Sequence, residues 1–326
     1  MGGDYAPRNI IAGALDAARE SGNRFELLLI GPETNLRTEL NQYQGNMGSC
    51  RIVDASQVIE MHDPATAGLK QKRDSTISVG LSLHKSGDAD AFVSAGHSGA
   101  VMSTATLVLG RIEGISRPTI GAFFPSERGV TLLLDAGVNV DCRPQHLYEF
   151  AVMGSIYAGK MFRLENPSVG LLNIGEEESK GNDVVKEAYT LLRNSSLNFI
   201  GNVEGRDILQ GKANVIVCDG FVGNAILKFA ESVPSFFKSR LRQRIGASVL
   251  RRLIGVLIKG TVRGALKSLD YEEYGGVPVL GVRGVVIIGH GQSTPKAIKH
   301  MILRADEMVR NNINQHIQEA LVASSS

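Results

Sequence analysis

Short apolar runs that are rich in β-branched residues alternate along the chain with longer stretches of helical periodicity. The apolar runs predict strands at residues 26–30, 91–94, 119–123, 131–134, 168–173, 198–200, 214–218, 279–282 and 285–288. The periodic stretches predict helices at residues 7–21, 75–86, 99–111, 145–159, 184–193, 224–237 and 295–310. This alternation is typical of an α/β fold in which a mostly parallel sheet lies between two layers of helices. No linker or repeat interrupts it, so residues 1–326 are expected to form one domain.

Four of the predicted strands end in polar turns that contain glycine. These turns read SAGHSGA (94–100), LLDAGVNVD (133–141), LLNIGEEESKGND (171–183) and VCDGFVGN (217–224). Ligands of open α/β sheets bind beyond the carboxyl ends of the strands, where helix N-termini offer unpaired N–H groups to anions. The four turns are therefore expected to converge on one cleft that binds an anion.

Two residues in these turns are the strongest candidates for chemistry. Lys180 is a point charge able to pair with phosphate or with a developing oxyanion, and its place near a helix start is unfavourable for the helix dipole. The three glutamates that precede it are explained by a first helical turn, without any catalytic role. Asn224 has an amide able to hold a carbonyl or phosphate oxygen, although a helix N-cap would explain it equally.

The turn at residues 94–100 has a structural explanation beside the functional one. Gly96 and Gly99 permit a close backbone approach to a ligand, but they also suit a tight turn with Ser98 as the helix N-cap. His97 is expected to form hydrogen bonds rather than to bind a metal, because no cysteine or carboxylate stands near it.

The turn that follows residues 131–134 carries three polar residues of interest, the carboxylates Asp135 and Asp141 and the amide Asn139. Asp135 and Asn139 are expected to order this turn through bonds to its backbone, with some ligand contact. A magnesium site is the less favoured interpretation, and no metal or other cofactor is predicted.

Composition limits the class of protein. Hydrophobic residues make up 43% of the chain and charged residues 21%, as in ordinary soluble proteins. Cys50, Cys142 and Cys218 are too far apart for a disulfide framework or a zinc site, so the sequence predicts a reducing, cytoplasmic location. Residues 91–110 have no formal charge, but their many Gly, Ser and Thr residues favour a buried strand and helix over a transmembrane span.

The net charge of +2 conceals one strongly basic segment. Residues 232–269 contain nine Lys or Arg and no Asp or Glu, and residues 232–270 are predicted to form a protruding amphipathic helical insertion. Its predicted contact residues are Arg244, Val249, Leu250, Arg251, Arg252, Leu253 and Leu257. An anionic membrane, a second copy of the chain and an acidic protein partner are all open alternatives for this surface. Nucleic acid is not expected, because no aromatic platform accompanies the charges.

Taken together, the motifs resemble those of the PlsX phosphate acyltransferases of bacterial phospholipid synthesis. In chain order they are MGGDYAP, DAFVSAGHSGA, LLDAGVNVDC, VGLLNIGEEESKGND, NFIGNVEGRDI, IVCDGFVGNAILK and EYGGVPVLGVRGVVIIGHG. The resemblance extends over nearly the whole chain, so it is more specific than any single turn. Family members usually have GNTG where this chain has GHSG at 96–99. They also have a short strand before the MGGD motif, without which the sheet would be one strand smaller.

The resemblance implies transfer of a long acyl chain from acyl carrier protein to inorganic phosphate. It also implies a three-layer αβα fold similar to isocitrate and isopropylmalate dehydrogenases and to phosphotransacetylases, and a homodimer. Members associate peripherally with the membrane, where a glycerol-3-phosphate acyltransferase consumes the product. Lys180 and Asn224 would be catalytic. Phosphate or substrate would be bound by Asp4, Gly96, His97, Ser98, Gly99, Asp135, Asn139, Asn182, Asp219 and Gly223.

Three other functions are compatible with parts of the sequence. A short-chain phosphotransacetylase would use similar turns with coenzyme A as the acyl carrier, and the basic segment argues against it. A nicotinamide-dependent dehydrogenase would need a GxGxxG turn followed by an acidic ribose partner, which is not evident. A non-catalytic membrane-binding protein would bind vesicles without consuming a thioester.

Overall fold

The computed structural model describes residues 1–43, 50–246 and 275–325, together with Gly260 and Gly264. Most of the predicted contact residues of the basic segment lie outside this part of the chain, namely Val249, Leu250, Arg251, Arg252, Leu253 and Leu257. Arg244 lies within it, exposed near the end of a long helix. None of the described helices is both long enough and apolar enough to cross a bilayer.

Strands and helices alternate along the described chain as the sequence predicts. The strands are β1 Leu27–Gly31, β2 Cys50–Asp54, β3 Ala91–Ser94, β4 Thr119–Ser126, β5 Gly129–Leu134, β6 Val169–Leu172, β7 Phe199–Val203, β8 Val215–Val217, β9 Val277–Leu280 and β10 Val285–Ile288. The helices are α1 Arg8–Glu20, α2 Glu33–Leu40, α3 Ala67–Lys70, α4 Thr76–Ser86, α5 Ser98–Val108, α6 Pro144–Met161, α7 Asp183–Arg193, α8 Asp207–Gln210, α9 Gly220–Gly246, α10 Pro295–Arg310 and α11 Ile313–Ser325.

Eight of the strands form one mostly parallel sheet in the order β3-β10-β9-β4-β5-β8-β6-β7, and β1 and β2 form a separate parallel pair. Antiparallel pairing occurs only around β9 and β4, between β10 and β9, β9 and β4, and β4 and β5. Strands β5, β8, β6 and β7 run parallel to one another. This central reversal makes β3 and β10 run opposite to β5, β6 and β8.

The reversal separates the four glycine turns into two groups. Strands β5, β6 and β8 all stop at one end of the sheet, which we call the Asp135 end. Strand β3 stops at the opposite end, which we call the Ser94 end. The prediction that all four turns converge is therefore wrong for a single chain, since the turn at 94–100 leaves the sheet at the other end.

Helices cover both faces of the sheet. In β5, Leu132 and Leu134 point to one face, where they pack with α6, and Leu133 points to the other. In β8, Ile216 shares the face of Leu133, whose cover includes residues of α9. Successive side chains of a strand point to opposite faces, so both faces being buried explains the unbroken apolar runs of the sequence. The prediction of three αβα layers is confirmed.

The turn after β5 packs tightly on the start of α9. The Gly220 N–H donates to the carbonyl oxygen of Asn139 at 2.7 Å. A Cβ atom added at Gly223 would lie 1.8 Å from the carbonyl oxygen of Asp135 and 3.1 Å from the Sγ of Cys218. Helix α9 therefore begins in contact with the β5 turn because these two glycines have no side chains.

We expect Gly223→Ala to destabilise the protein by about 3 kcal/mol, since the new methyl group meets backbone rather than a movable side chain. Alanine is otherwise favourable within a helix, so the loss would report the contact itself. Chemical denaturation measures the free energy of unfolding. Gly205→Ala is the matched control, because a Cβ there meets nothing within 4 Å; its stability should change by about 0.5 kcal/mol or less. Equal stabilities for the two variants would contradict the contact.

Candidate active site

The Asp135 carboxylate organises the turn after β5. Asp135 is fully buried. Its Oδ1 accepts hydrogen bonds from the N–H groups of Gly137 and Val138 at 2.9 and 3.0 Å, and its Oδ2 accepts from Asn139 N–H at 2.7 Å and Asn139 Nδ2 at 2.5 Å. Burial raises the pKa of Asp135, and these four bonds oppose the rise. Asp135 therefore shapes the site from beneath and offers no free oxygen to a ligand.

Asn139 is committed to the same framework. Its side chain is nearly fully buried, and its Nδ2 also donates to the carbonyl oxygen of Pro118 at 2.8 Å. The prediction that Asp135 and Asn139 order their turn is confirmed by these bonds. Direct ligand contact by either side chain is not what this arrangement provides.

Asn224 lies above this turn, at the start of α9. A Cβ on Gly137, which has a φ of +134°, would come within 3.1 Å of the Asn224 Oδ1. Asn224 is exposed, and its amide makes no hydrogen bond to a described residue. Asp219 supplies the helix cap instead, because its Oδ1 accepts from Val222 N–H at 2.9 Å. The Asn224 amide is thus left facing solvent with its donors available.

Two proposed ligand contacts at this turn are corrected by the structure. The Gly223 N–H donates to the carbonyl oxygen of Asp219 at 3.0 Å, so it is used within the first turn of α9. Gly223 contributes its small size rather than an N–H group for phosphate. The side chain of Asp219 is engaged as a cap and is only partly exposed.

Each member of the glutamate run at 176–178 supports the loop after β6. Glu176 pairs with Lys212 at 2.7 Å, and the carbonyl oxygen of Glu177 accepts from Asn202 Nδ2 at 2.9 Å. The Glu178 carboxylate accepts from the Tyr189 hydroxyl at 2.9 Å and from Arg193 at 3.1 Å, and both donors lie on α7. These interactions explain the carboxylates of Glu176 and Glu178 without a catalytic role, and Glu177 contributes its backbone carbonyl.

Lys180 lies in the same loop, which these interactions hold in place. Both backbone groups of Lys180 form hydrogen bonds. The N–H donates to the Glu177 carbonyl at 3.1 Å, and the carbonyl accepts from Asn173 Nδ2 at 3.0 Å. The side chain is exposed, and no carboxylate of a described residue lies within salt-bridge distance. Asn182 caps α7 by accepting from Val185 N–H at 2.9 Å, so its oxygen is occupied. The ammonium group of Lys180 is therefore available to an anion.

Lys180 and Asn224 follow neighbouring strands at the same end of the sheet. Strand β6 leads to Lys180, β8 leads to Asn224, and β5 leads to the Asp135 turn. Neighbouring strands lie about 4.8 Å apart, so the three strand ends span about 10 Å. A cation, an uncharged amide and a small-residue turn thus share one rim.

The remaining predicted residues form a separate group at the Ser94 end. The Asp4 N–H donates to the Gly291 carbonyl at 2.8 Å, and Gly2 and Gly3 lie against residues 95 and 96. His97 caps α5, because its Nδ1 accepts from Ala100 N–H at 3.1 Å. The N-cap is therefore His97 and not Ser98, which is the first helical residue.

This group does not join the Lys180 rim within one chain. It contains Asp4, Gly96, His97, Ser98 and Gly99. The Gly96 N–H donates to Ser94 Oγ at 3.1 Å, so it is also engaged within its own turn.

Sequence reasoning missed a polar cluster beside the Asp135 turn. His146 in the first turn of α6 is buried, and its Nδ1 accepts from Arg143 N–H at 3.0 Å. Burial lowers the pKa of His146, and the charges of Arg117 and Arg143 lower it further, whereas the charge of Glu149 raises it. The buried Glu149 accepts from the N–H and the hydroxyl of Ser116, both at 2.8 Å. The signal in the sequence is the Arg-Pro-x-His pattern at a helix start.

Neither cysteine near this rim is suited to be a nucleophile. Burial raises the pKa of the Cys142 thiol to about 12 and that of Cys218 well above its usual value. In the part of the chain that the structure describes, no three His, Cys, Asp or Glu side chains group to hold a metal ion. Chemistry at the rim therefore rests on hydrogen bonding and charge.

Comparison with solved structures identifies the fold. A branched-chain phosphotransacylase from Enterococcus faecalis V583 is similar with a TM-score of 0.57, at 14% identity, over 94% of this chain and 96% of that chain. EutD phosphotransacetylase from Staphylococcus aureus is similar with a TM-score of 0.52, at 16% identity, over 92% and 99% of the two chains. The fold is therefore like that of the phosphotransacetylases.

Comparison of sequences gives the family. The family model described as "Fatty acid synthesis protein" matches residues 1–316. The curated phosphate acyltransferase of Chlorobaculum tepidum is 48% identical over 98% of this chain and 100% of its own length. That of Dictyoglomus turgidum is 47% identical over 98% of this chain and 96% of its own length. The chain belongs to this family of fatty acid synthesis proteins.

Proposed function

We propose that the protein transfers a long acyl group from the thioester of acyl carrier protein to inorganic phosphate, which yields an acyl phosphate for phospholipid synthesis. It is an acyltransferase by its full-length likeness to curated phosphate acyltransferases. The observation that carries the site assignment is the exposed Lys180, which has no carboxylate partner among the described residues, on the same rim as the free amide of Asn224. We propose that these two residues are catalytic and that no cofactor takes part.

The proposed reaction is a direct attack. A phosphate oxygen forms a bond to the thioester carbonyl carbon, the carbonyl becomes an oxyanion, and the C–S bond then breaks to release the carrier thiolate. Lys180 would neutralise the phosphate or the oxyanion, and the Asn224 amide would donate to the carbonyl oxygen. A thiolate is a fair leaving group, so positioning and charge stabilisation are sufficient without an acyl-enzyme.

The remaining predicted site residues have supporting parts in this proposal. Asp135, Asn139, Asp219 and Asn182 would hold the turns in shape, as their hydrogen bonds favour. The group at the Ser94 end, with Asp4 and residues 96–99, would bind a part of the substrate away from Lys180. An isocitrate dehydrogenase-like arrangement of a single domain at 1–326 is part of the same proposal.

We further propose a homodimer that associates peripherally with anionic membrane. Helix α9 supports this, because four of its phenylalanines are more than half exposed, namely Phe221, Phe229, Phe236 and Phe237. Cations follow on the same helix at Lys238, Arg240, Arg242 and Arg244. The described start of the insertion at 232–270 would then join these apolar side chains to basic ones, which suits a lipid headgroup region. Product would pass there to the membrane glycerol-3-phosphate acyltransferase.

One assay separates the proposal from its rivals. Loss of palmitoyl thioester from acyl carrier protein is measured with and without phosphate, beside acetyl-CoA as a second donor. Phosphate-dependent loss from the carrier thioester alone is expected. Preference for acetyl-CoA would indicate a short-chain phosphotransacetylase, and no consumption with vesicle binding would indicate a non-catalytic membrane protein.

We expect Lys180→Ala to slow acyl phosphate formation by about 10²–10³-fold, because one contact to the developing negative charge is lost. Initial rates at saturating substrates measure the effect, and circular dichroism checks the fold. Lys186→Ala is the matched control, since Lys186 is an exposed lysine without an ion pair to a described residue on the adjoining helix α7. Undiminished turnover in Lys180→Ala would remove this lysine from the mechanism.

We expect Leu253→Glu to lower binding to anionic vesicles by about 10-fold or more, because a carboxylate would replace an inserting apolar group. Flotation of the protein with liposomes measures the bound fraction. Vesicles of neutral lipid serve as the control for charge. Binding equal to that of the unaltered protein would exclude insertion through this part of the basic segment.

A further inference from the structure

Four arginines lie together at the Asp135 end of the sheet. They come from three segments: the loop between α5 and β4, the start of α6, and the turn between β9 and β10. We call them the arginine cluster, which consists of Arg111, Arg117, Arg143 and Arg283. Arg111 and Arg117 precede the Asp135 turn in sequence, and Arg143 follows it. Arg283 lies in the turn between β9 and β10.

Backbone hydrogen bonds hold the three segments against one another. The Arg283 N–H donates to the carbonyl oxygen of Gly110 at 2.9 Å, and the Ile112 N–H donates to that of Gly281 at 3.0 Å. Arg111 donates to the carbonyl oxygen of Ser116. These bonds join the loop at 109–118 to the turn between β9 and β10 and so fix two of the four arginines side by side.

The other two arginines are fixed around the start of α6. Arg117 Nη1 donates to the carbonyl oxygen of Asp141 at 3.4 Å. Arg143 is the N-cap residue of α6. Asp141 is two residues before Arg143, so this bond holds Arg117 against the segment that leads to Arg143.

The cluster is not neutralised by the described part of the chain. None of the four arginines forms an ion pair there, whereas Arg19, Arg37 and Arg193 each pair with a carboxylate. The nearby Glu149 is buried and bonded to Ser116. Glu113 and Asp141 are exposed and form no ion pair with a described residue. The exposed side chains of the patch are therefore four guanidinium groups and two carboxylates, and the buried Glu149 adds a third negative charge.

The patch borders the Lys180 rim. Asp141 and Cys142 connect Arg143 to the Asp135 turn, and the Cys142 Sγ donates to the carbonyl oxygen of Asn139 at 3.3 Å. The Gly220 N–H at the start of α9 donates to the same Asn139 carbonyl at 2.7 Å. An anionic partner bound at the arginine cluster would therefore stand beside the strand ends that carry Lys180 and Asn224.

We propose that the arginine cluster is the docking surface for the acidic face of the acyl carrier protein. This inference rests on the proposed function. Guanidinium groups pair with carboxylates through two parallel hydrogen bonds, and an unpaired set of them beside a reaction site suits an acidic protein surface. Docking there would deliver the thioester to the rim, while the uncharged Asn224 and the single cation Lys180 handle the carbonyl and phosphate.

The test is the double variant Arg117→Glu/Arg143→Glu, assayed with palmitoyl acyl carrier protein and inorganic phosphate. We expect the KM for the acylated carrier to rise by about 10-fold or more, because like charges would oppose each other at the contact. The KM for phosphate should stay within about twofold, since neither arginine is assigned to the phosphate. The affinity of the unaltered protein for the carrier should also fall with added salt.

Arg73→Glu is the matched control. Arg73 is likewise exposed and without an ion pair to a described residue, and it precedes α4 on the side of the Ser94 end. This variant should keep the KM for the carrier. Thermal unfolding of all variants checks that they are folded.

Three outcomes would overturn the inference. The first is an unchanged KM for the carrier in the folded double variant, and the second is an equal rise in the KM for phosphate. The third is a loss of binding to anionic vesicles with normal kinetics for the carrier, which would assign the cluster to lipid. If the unaltered protein makes no acyl phosphate from any carrier thioester, the proposed function fails, and binding of the apo carrier to the double variant still decides the docking surface.

Discussion

The buried carboxylate of Asp135 holds the end of the sheet on which the candidate active site depends. Four hydrogen bonds to it fold the turn after β5, and Asn139 extends the same network to the start of β4. A buried carboxylate without such bonds would be strongly unfavourable, so the turn has little freedom to open. The start of α9 rests on this turn through glycines, which sets the position of Asn224. The buried Asp135 thus determines the position of the exposed Asn224.

In the loop after β6, likewise, some residues hold the conformation while another remains available to a ligand. The carboxylate of Glu176 pairs with Lys212, and that of Glu178 binds Arg193 and Tyr189. The backbone carbonyl of Glu177 accepts from the side-chain amide of Asn202. Exposed ion pairs add little stability singly, but several from different elements restrain one loop. The cation at Lys180 keeps its charge unpaired on this restrained backbone. The acidic run therefore assists Lys180 indirectly, because it orders the loop that carries the lysine and does not transfer a proton.

Hydrophobic patterning predicted the elements of the central sheet, because strands buried on both faces read as continuous apolar runs. It missed β2, which carries Arg51 and Asp54 on a pair of strands outside the main sheet. It also missed the helices α2 and α11 and the short helices α3 and α8. It also placed the turn at 94–100 with the others, because local sequence does not give strand direction across a reversal. The sequence identified candidate residues by their residue type. The hydrogen bonds of the structure were needed to tell which of them cap a helix, which hold a turn in shape and which remain available to a ligand.

The distribution of charge follows from how far charge acts. At physiological salt an exposed charge is screened over about 8 Å, so a cation that is to meet phosphate must stand at the rim itself. Lys180 is the one lysine or arginine in the described turns after β6 and β8. Additional cations there would stabilise bound phosphate as much as the transition state and would add no rate. Cations needed for a large anionic partner belong at the margin, where they act on encounter and orientation. The arginine cluster occupies that margin, and backbone hydrogen bonds position it without ion pairs to the described carboxylates.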